Sequence, residues 1–350
     1  MKYYLKEEFL HDVNAKNAGN KARNDVESIV KEEGYHPLVL SVDNWYQMST
    51  LVAQRHKAKA FGQALDQLKQ GDELLIQFPM LHHSFFSTHL VKKAQKRGIK
   101  VYLLIHDLEV LRHANMTSLP LKHRIRMYLQ EASFLKAADG IIAHNPVMKS
   151  VLVDKGIAED KIVSLGIFDY LIPNFQEKSG QTKDQPMIVA GNLAQEKAGY
   201  LYGLPAEPAY NLYGVGFDES RALENETYFG SFLPDELPAA LEGGFGLVWD
   251  GDSAKTCSGV FGEYLRYNNS HKASLYLASG FPLVVWKQSA LSHFVLEKGC
   301  GIAVESLHDL KETIDNLSDA DYQDLVDNAK RVGQEIRDGH YLKTALKHLS

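Results

Sequence analysis

The stretch that decides the fold runs from Gly243 to Val285. It opens Gly243-Gly-Phe-Gly-Leu-Val-Trp-Asp250, crosses a polar loop to Tyr267-Asn-Asn-Ser-His-Lys272, and closes Ala278-Ser-Gly-Phe-Pro-Leu-Val-Val285. An apolar run, a loop, a helical stretch stopped by Gly280 and a second apolar run read as strand, loop, helix and strand. Apolar strands joined through a helix predict parallel neighbours buried on both faces. The loop delivers Asn269, His271 and Lys272 to a helix N-terminus. Unpaired N–H groups and the positive end of the helix dipole attract an anion there. A phosphate-bearing ligand is the chemistry this arrangement suggests.

Outward from that unit, the same alternation fills the chain. In the first half Lys2–Leu5, Pro37–Val42, Asp72–Phe78, Lys100–Ile105, Gly140–Ala143 and Lys161–Ser164 read as strands. Helical stretches near 20–33, 50–69, 84–97, 121–137 and 146–155 separate them. Gly34, Gly71 and Gly98 follow three helical stretches, where a left-handed C-cap favours glycine. In the second half Met187–Ala190, Asn211–Tyr213, Phe245–Trp249, Pro282–Val285 and Gly301–Val304 are strand candidates. Helices are expected near 235–241, 270–279, 289–298, 307–316 and 319–336. Between the halves, residues 168–185 are polar, with glycine and two prolines and no apolar period, as in a linker. The expected fold class is therefore α/β: two doubly wound domains, 1–167 and 186–337, a linker at 168–185, and a closing helix within 338–350. Ligands of such sheets bind beyond the carboxyl ends of the strands, so a cleft between the halves is the expected site.

Bulk properties agree. At 350 residues the chain exceeds one ordinary core, which favours two domains. No run of about 18 apolar residues marks a membrane span. The start, Met-Lys-Tyr-Tyr-Leu-Lys-Glu-Glu, lacks the apolar core of a secretion signal. Cys257 and Cys300 have no metal-site spacing and make no disulfide framework, so a reducing cytoplasm is the expected location. A net charge of −6 argues against nucleic acid as the main partner.

Several side chains at expected strand ends can carry chemistry. Lys272 with exposed backbone amides suits a diphosphate, or is a solvated lysine at a helix end. Gly191 lets backbone approach a ligand, and Asn192 and Lys197 follow it; an ordinary turn is the competing reading. His106 and Asp107 end the fourth strand, where an imidazole or carboxylate can take a proton from an acceptor hydroxyl. A structural histidine beside a capping aspartate fits them as well. His82 and His83 favour a structural reading. Asn17, Gly19 and Asn20 lie between the first strand and its helix, facing a ligand or capping that helix. Asp250-Gly-Asp252 allows a Mg²⁺ reading, but its glycine and serine neighbours make it a loop. No Gly-x-Gly-x-x-Gly follows the first strand, and neither a P-loop nor a Gly-x-Ser-x-Gly elbow is present.

Taken in order, Asn17–Val26 with Gly34-Tyr35, Gln77-Phe78-Pro79, Ile105–Leu108, Gly191-Asn192, Pro234–Glu236, Gly243–Trp249 and His271–Val285 resemble the GT-B glycosyltransferases. More narrowly, the chain is similar to bacterial glucosyltransferases that extend the first GlcNAc on serine-rich-repeat adhesins. Relatives of that group are described as β-1,6-galactofuranosyltransferases. The resemblance implies a UDP-sugar donor held mainly by the C-terminal domain, and a glycosylated protein or glycan acceptor on the N-terminal one. By position it implies Phe232 against the uracil, Lys272 and Lys197 on the diphosphate, and Asn17–Asn20 near sugar or acceptor. It implies no cofactor and no metal, and a homo-oligomer. One departure stands out: the Glu-x7-Glu of many retaining GT-B enzymes falls here on Tyr267 and Leu275. Transfer of glucose or GlcNAc to a GlcNAc-modified adhesin is the leading expectation. The alternatives are galactofuranosyl transfer to a cell-wall or capsular polysaccharide, or a non-catalytic partner subunit. Alanine at Lys272 is expected to cut turnover and leave the fold intact.

Overall fold

In a computed structural model, residues 1–8, 18–42, 47–113 and 130–349 are described. They divide into two compact units. The first comprises Met1–Ala15, Arg23–Leu165 and Leu342–Ser350, the second Lys16–Ala22 and Gly166–Tyr341.

The first unit holds six parallel strands: β1 (Lys2–Glu8), β2 (His36–Ser41), β3 (Glu73–Phe78), β4 (Lys100–Ile105), β5 (Gly140–Ala143) and β6 (Ile162–Ser164). Their order is β2-β1-β3-β4-β5-β6. The direction of winding reverses between β1 and β3, and it is beside such a reversal that the carboxyl ends leave a crevice. β3 and β4 are buried along nearly their whole length, the signature of strands covered on both faces. Helices Thr50–Leu65 and Ser87–Gln95 pack against one another. Gly34, Gly71 and Gly98 all have left-handed φ, as their places after helices require.

The second unit holds β7 (Met187–Asn192), β8 (Tyr210–Val215), β9 (Glu226–Tyr228), β10 (Phe245–Val248), β11 (Leu283–Trp286) and β12 (Gly301–Val304). Their order, β12-β11-β10-β7-β8-β9, is that of a dinucleotide-binding fold, with the reversal between β7 and β10. β7 pairs with β8 from Met187 to Asn192 but with β10 only at Met187 and Ile188. The carboxyl ends of β7 and β10 therefore part. Tyr276 fills the opening, and its hydroxyl accepts the Ala190 N–H at 2.6 Å, which a ladder partner would otherwise take. The ring lies so close to β10 that a Cβ at Gly246 would stand 2.2 Å from its Cγ. Only glycine fits there. The core below is aromatic, with Trp249, Trp286, Tyr200 and Tyr210 fully buried.

Short elements escape a reading of apolar runs, among them the one-turn helices Glu109–Arg112 and Gln195–Ala198. β9 is a three-residue edge strand, Glu-Thr-Tyr, with no buried residue. Helix Gly259–Tyr264 carries two glycines, which weaken helical propensity. The stretch that resembles a linker has no regular element, yet its first residues, Phe168, Asp169 and Tyr170, are buried. Cys257 and Cys300 are buried thiols, both pushed upward by burial.

Candidate active site

In the second unit the site begins where β7 and β10 diverge. Lys272, in the first turn of helix His271–Ala278, sends Nζ to the Trp249 carbonyl and to Asp250 Oδ1, both at 2.8 Å. A Cβ on Gly191 would lie 3.7 Å from Lys272 Cδ, so the lysine stem passes directly over the end of β7. Its side chain is 15% exposed and that of Asp250 8%. Lys272 is thus a structural partner of a buried carboxylate, which corrects the expectation that its loss would leave the fold untouched. Asp252 Oδ1 accepts from Ser258 Oγ. Both carboxylates of the Asp-Gly-Asp loop are engaged by protein. Among the described residues no group of three or more His, Cys, Asp or Glu converges as metal ligands.

Asn269 is buried and donates to the Gly166 carbonyl at 2.6 Å, shaping the loop before the helix. His271 packs against Tyr170 and Phe168, with ring centroids 5.2 and 6.1 Å away. Burial first, and the nearby Lys21 ammonium second, depress its pKa to about 4, so it is neutral near pH 7. The ring is hydrogen-bonded to the Asp169 backbone, while Nε2 has no partner among the described residues. Nδ1 then carries the proton and Nε2 presents a lone pair. This histidine offers an acceptor, not a cation.

The remaining donor-side candidates have other immediate neighbours. Asn192 Oδ1 accepts the Ala194 N–H at 2.9 Å, the turn geometry of an Asx residue. Lys197 is half-buried with Nζ 5.3 Å from the Phe261 ring centre, and its carbonyl accepts the Gly251 N–H at 2.8 Å. Phe232 stands 6.1 Å from Tyr213, which itself stacks on Phe229 at 4.9 Å. The structure thus brings Gly191 and Lys272 together directly and sets an aromatic group at the end of β8.

In the first unit, His106 Nε2 lies 2.7 Å from Gln77 Oε1. Gln77 Nε2 donates to the Arg23 carbonyl, so its Oε1 is the acceptor and His106 Nε2 the donor. Asp107 Oδ1 is ion-paired with Arg112 at 2.6 Å. Buried His82 reaches the Glu8 carbonyl at 3.2 Å, and His83 sits edge-on to Phe134, its pKa depressed to about 4 by burial. Gly19 and Asn20 lie in the first turn of helix Ala18–Glu32. Asn17 lies outside the described residues.

Sequence reasoning missed three residues. Glu7, buried at the carboxyl end of β1, accepts the His82 and Leu81 N–H groups at 2.7 and 3.0 Å. Desolvation raises its pKa. Arg23 donates to the Pro79 carbonyl at 2.6 Å and lies 3.9 Å from Glu7. In the second unit Lys21 bonds the Leu171 carbonyl and Asp235 at 2.7 and 2.8 Å, its ammonium 5.0 Å from the Tyr170 ring centre. Ending β1 at Leu5 hid Glu7. A period-2 reading continued to Glu8 puts Glu7 on the same face as buried Leu5, an unusual place for a charge.

The comparisons with known proteins agree with this architecture. Over 99% of the chain the fold superposes on sucrose-phosphate synthase from Thermosynechococcus elongatus, at TM-score 0.66 and 12% identity, covering 98% of that chain. The lipopolysaccharide glycosyltransferase WaaG gives TM-score 0.56 at 11% identity, over 99% of this chain and 98% of that one. Two parallel-sheet α/β units of this kind are the fold of the GT-B glycosyltransferases. Family models then place the chain among its relatives. The Glucosyltransferase 3-like N-terminal domain matches residues 2–167 and the C-terminal domain 187–349, so the chain belongs to the Glucosyltransferase 3-like family and is a glycosyltransferase. It is 33% identical to β-1,6-galactofuranosyltransferase WbbI of Escherichia coli (strain K12), over 97% of both chains. It is 25% identical to Glucosyltransferase 3 of Streptococcus gordonii, over 93% of this chain and 92% of that protein.

Proposed function

We propose that the protein transfers a hexose from a UDP-sugar to a sugar hydroxyl, with the donor diphosphate at the N-terminus of helix His271–Ala278. The observation that carries this reading is Lys272, packed over Gly191 at the strand-order reversal between β7 and β10. In the reaction, the acceptor oxygen bonds the anomeric carbon while that carbon's bond to the diphosphate oxygen breaks. Negative charge grows on the departing UDP. Lys272 and the positive end of the helix dipole stabilise it, and Lys197 adds a second cation. Phe232 stacks on the uracil, and His271 Nε2 accepts a hydrogen bond from a donor hydroxyl or N–H. On the acceptor side His106 or Asp107 takes the hydroxyl proton, and the loop at Asn17–Asn20 approaches the sugar. The reaction needs no metal. The enzyme acts in the cytoplasm as a homo-oligomer. Two solved structures of similar fold were obtained with UDP and glucose and with UDP-glucose, at TM-scores of 0.55 and 0.53, which supports a uridine donor.

The acceptor of the leading reading is a GlcNAc-modified serine-rich-repeat adhesin, receiving glucose or GlcNAc. A second reading, galactofuranosyl transfer to a cell-wall or capsular glycan, is favoured by the higher identity to WbbI. Release of UDP from UDP-glucose, UDP-GlcNAc, UDP-galactose and UDP-galactofuranose, each with a GlcNAc-peptide or a glycan acceptor, separates the two. Calorimetry with UDP tests the donor site itself. Absence of heat at high UDP concentration would reject the donor reading, and loss of turnover in chelator would reject the metal-independent one.

A further inference from the structure

Beyond the carboxyl end of β4, Asp107 is followed by a single helical turn, Glu109–Arg112. At the end of that turn Arg112 ion-pairs with Asp107 at 2.6 Å and with Glu109 Oε1 at 2.8 Å. His113 Nε2 lies 3.0 Å from Glu109 Oε2. The turn thus sets one guanidinium between two carboxylates, and its geometry fixes how Asp107 is held.

A four-residue helix is not stable by itself. Its later N–H groups close on the chain behind them. Leu111 and Arg112 donate to the Leu108 carbonyl at 3.0 and 2.9 Å, and His113 donates to that of Glu109 at 2.9 Å. The N–H groups of Glu109 and Val110 are the ones a helix leaves over at its start. Leu108, just before them, has no side-chain acceptor to offer. Both N–H groups go to Glu131, 22 residues further along: Oε2 accepts that of Glu109 at 2.9 Å, and the same carboxyl accepts that of Val110. Glu131 stands in helical residues 130–137 and lines a cavity of about 280 Å³ with the apolar Val110, Leu135, Leu152 and Ile157. Lys136 and Lys155 complete its charged surroundings there. Placing a carboxyl among apolar groups is unfavourable, and the two hydrogen bonds from the turn offset part of that penalty.

We propose that Glu131 is a positioning residue for the transfer reaction: it caps the Glu109–Arg112 turn, the turn sets Arg112 against Asp107, and Asp107 is thereby held to receive the acceptor proton. This rests on the reading in which Asp107 is the acceptor-side base. Glu131 acts through the turn and not by contact with substrate.

Steady-state kinetics of the full chain with Glu131→Leu, Asp107→Asn and the two combined test this. Asp107→Asn should lose at least about a hundredfold in kcat, the contribution of a general base. Glu131→Leu should lose about ten- to a hundredfold in kcat, since a reacting group displaced by about an ångström is that much less effective. Its KM for the UDP-sugar and its UDP heat should stay at the parental values. In the double variant the losses should not add, because displacing a base that is already gone has no further effect. Glu131→Gln keeps one acceptor oxygen and should lose only about fivefold, the effect of one hydrogen bond. That loss too should vanish beside Asp107→Asn, which decides the question if Glu131→Leu does not fold. Additive losses in either combination overturn the positioning role while leaving the base reading intact. So does parental kcat in the Glu131 variants when Asp107→Asn is impaired, for the cap would then serve the fold alone. Parental kcat in Asp107→Asn rejects the base reading and the proposal together.

Discussion

Lys272→Ala asks whether one lysine holds the fold, the leaving group, or both. Nζ makes two contacts at 2.8 Å, to the Trp249 carbonyl and to Asp250 Oδ1, and both side chains of the ion pair are largely withdrawn from water. Removing the cation strands the Asp250 carboxylate. Breaking a buried pair in this way costs about 3–5 kcal/mol, and the low end applies because Lys272 keeps some exposure. For a unit of this size about 3 kcal/mol lowers Tm by roughly 6–12 °C. The double variant Lys272→Ala/Asp250→Asn removes the stranded charge and should regain most of that loss. Turnover should not return with it. A preorganised cation on a departing oxyanion contributes about 3–4 kcal/mol, so kcat should stay at least about a hundredfold down. The assays are thermal unfolding, UDP calorimetry and UDP release on the three proteins. If the double variant recovers both Tm and kcat, Lys272 serves the fold alone and the diphosphate cradle is wrong.

Other expectations follow from single contacts. Gly246→Ala would drive a methyl into the Tyr276 ring, 2.2 Å from Cγ, and should destabilise the second unit by about 2 kcal/mol or more. A denaturant midpoint within error of the parent would refute that packing. Glu131 accepts the Glu109 and Val110 N–H groups, yet burial lifts its pKa from 4.5 to about 7. Its folded pKa lies above the unfolded one, so the folded chain retains a proton that the unfolded chain sheds, and stability falls as pH rises from 4.5 through 7. Glu131→Gln cannot ionise. Its Tm advantage over the parent should therefore widen between pH 5 and pH 8, by up to about 3 kcal/mol in stability. A pH-independent difference between the two proteins would contradict the buried, raised carboxyl.

Much of the architecture was legible along the chain. Period and glycine punctuation locate nearly every strand of both sheets, because buried parallel strands are short apolar runs whatever packs against them. Gly34, Gly71 and Gly98 were readable for the same reason: a left-handed turn is a property of the local backbone. β9 was not, since an exposed edge strand needs little apolar content. The family, too, was visible in ordered short motifs, and the matched domains at 2–167 and 187–349 agree with it.

Side-chain states are another matter. That Asn269, His271 and Lys272 stand before and within the first turn of a helix follows from the sequence alone. That Lys272 neutralises Asp250, that His271 is uncharged beneath Tyr170 and Phe168, and that Glu7 is buried beneath the Leu81 and His82 amides does not. These depend on contacts between residues far apart in the chain, where desolvation and the nearest opposite charge decide protonation. Local propensity determined the strands and helices; only long-range packing decided which of their polar groups are spent on the fold and which remain for chemistry.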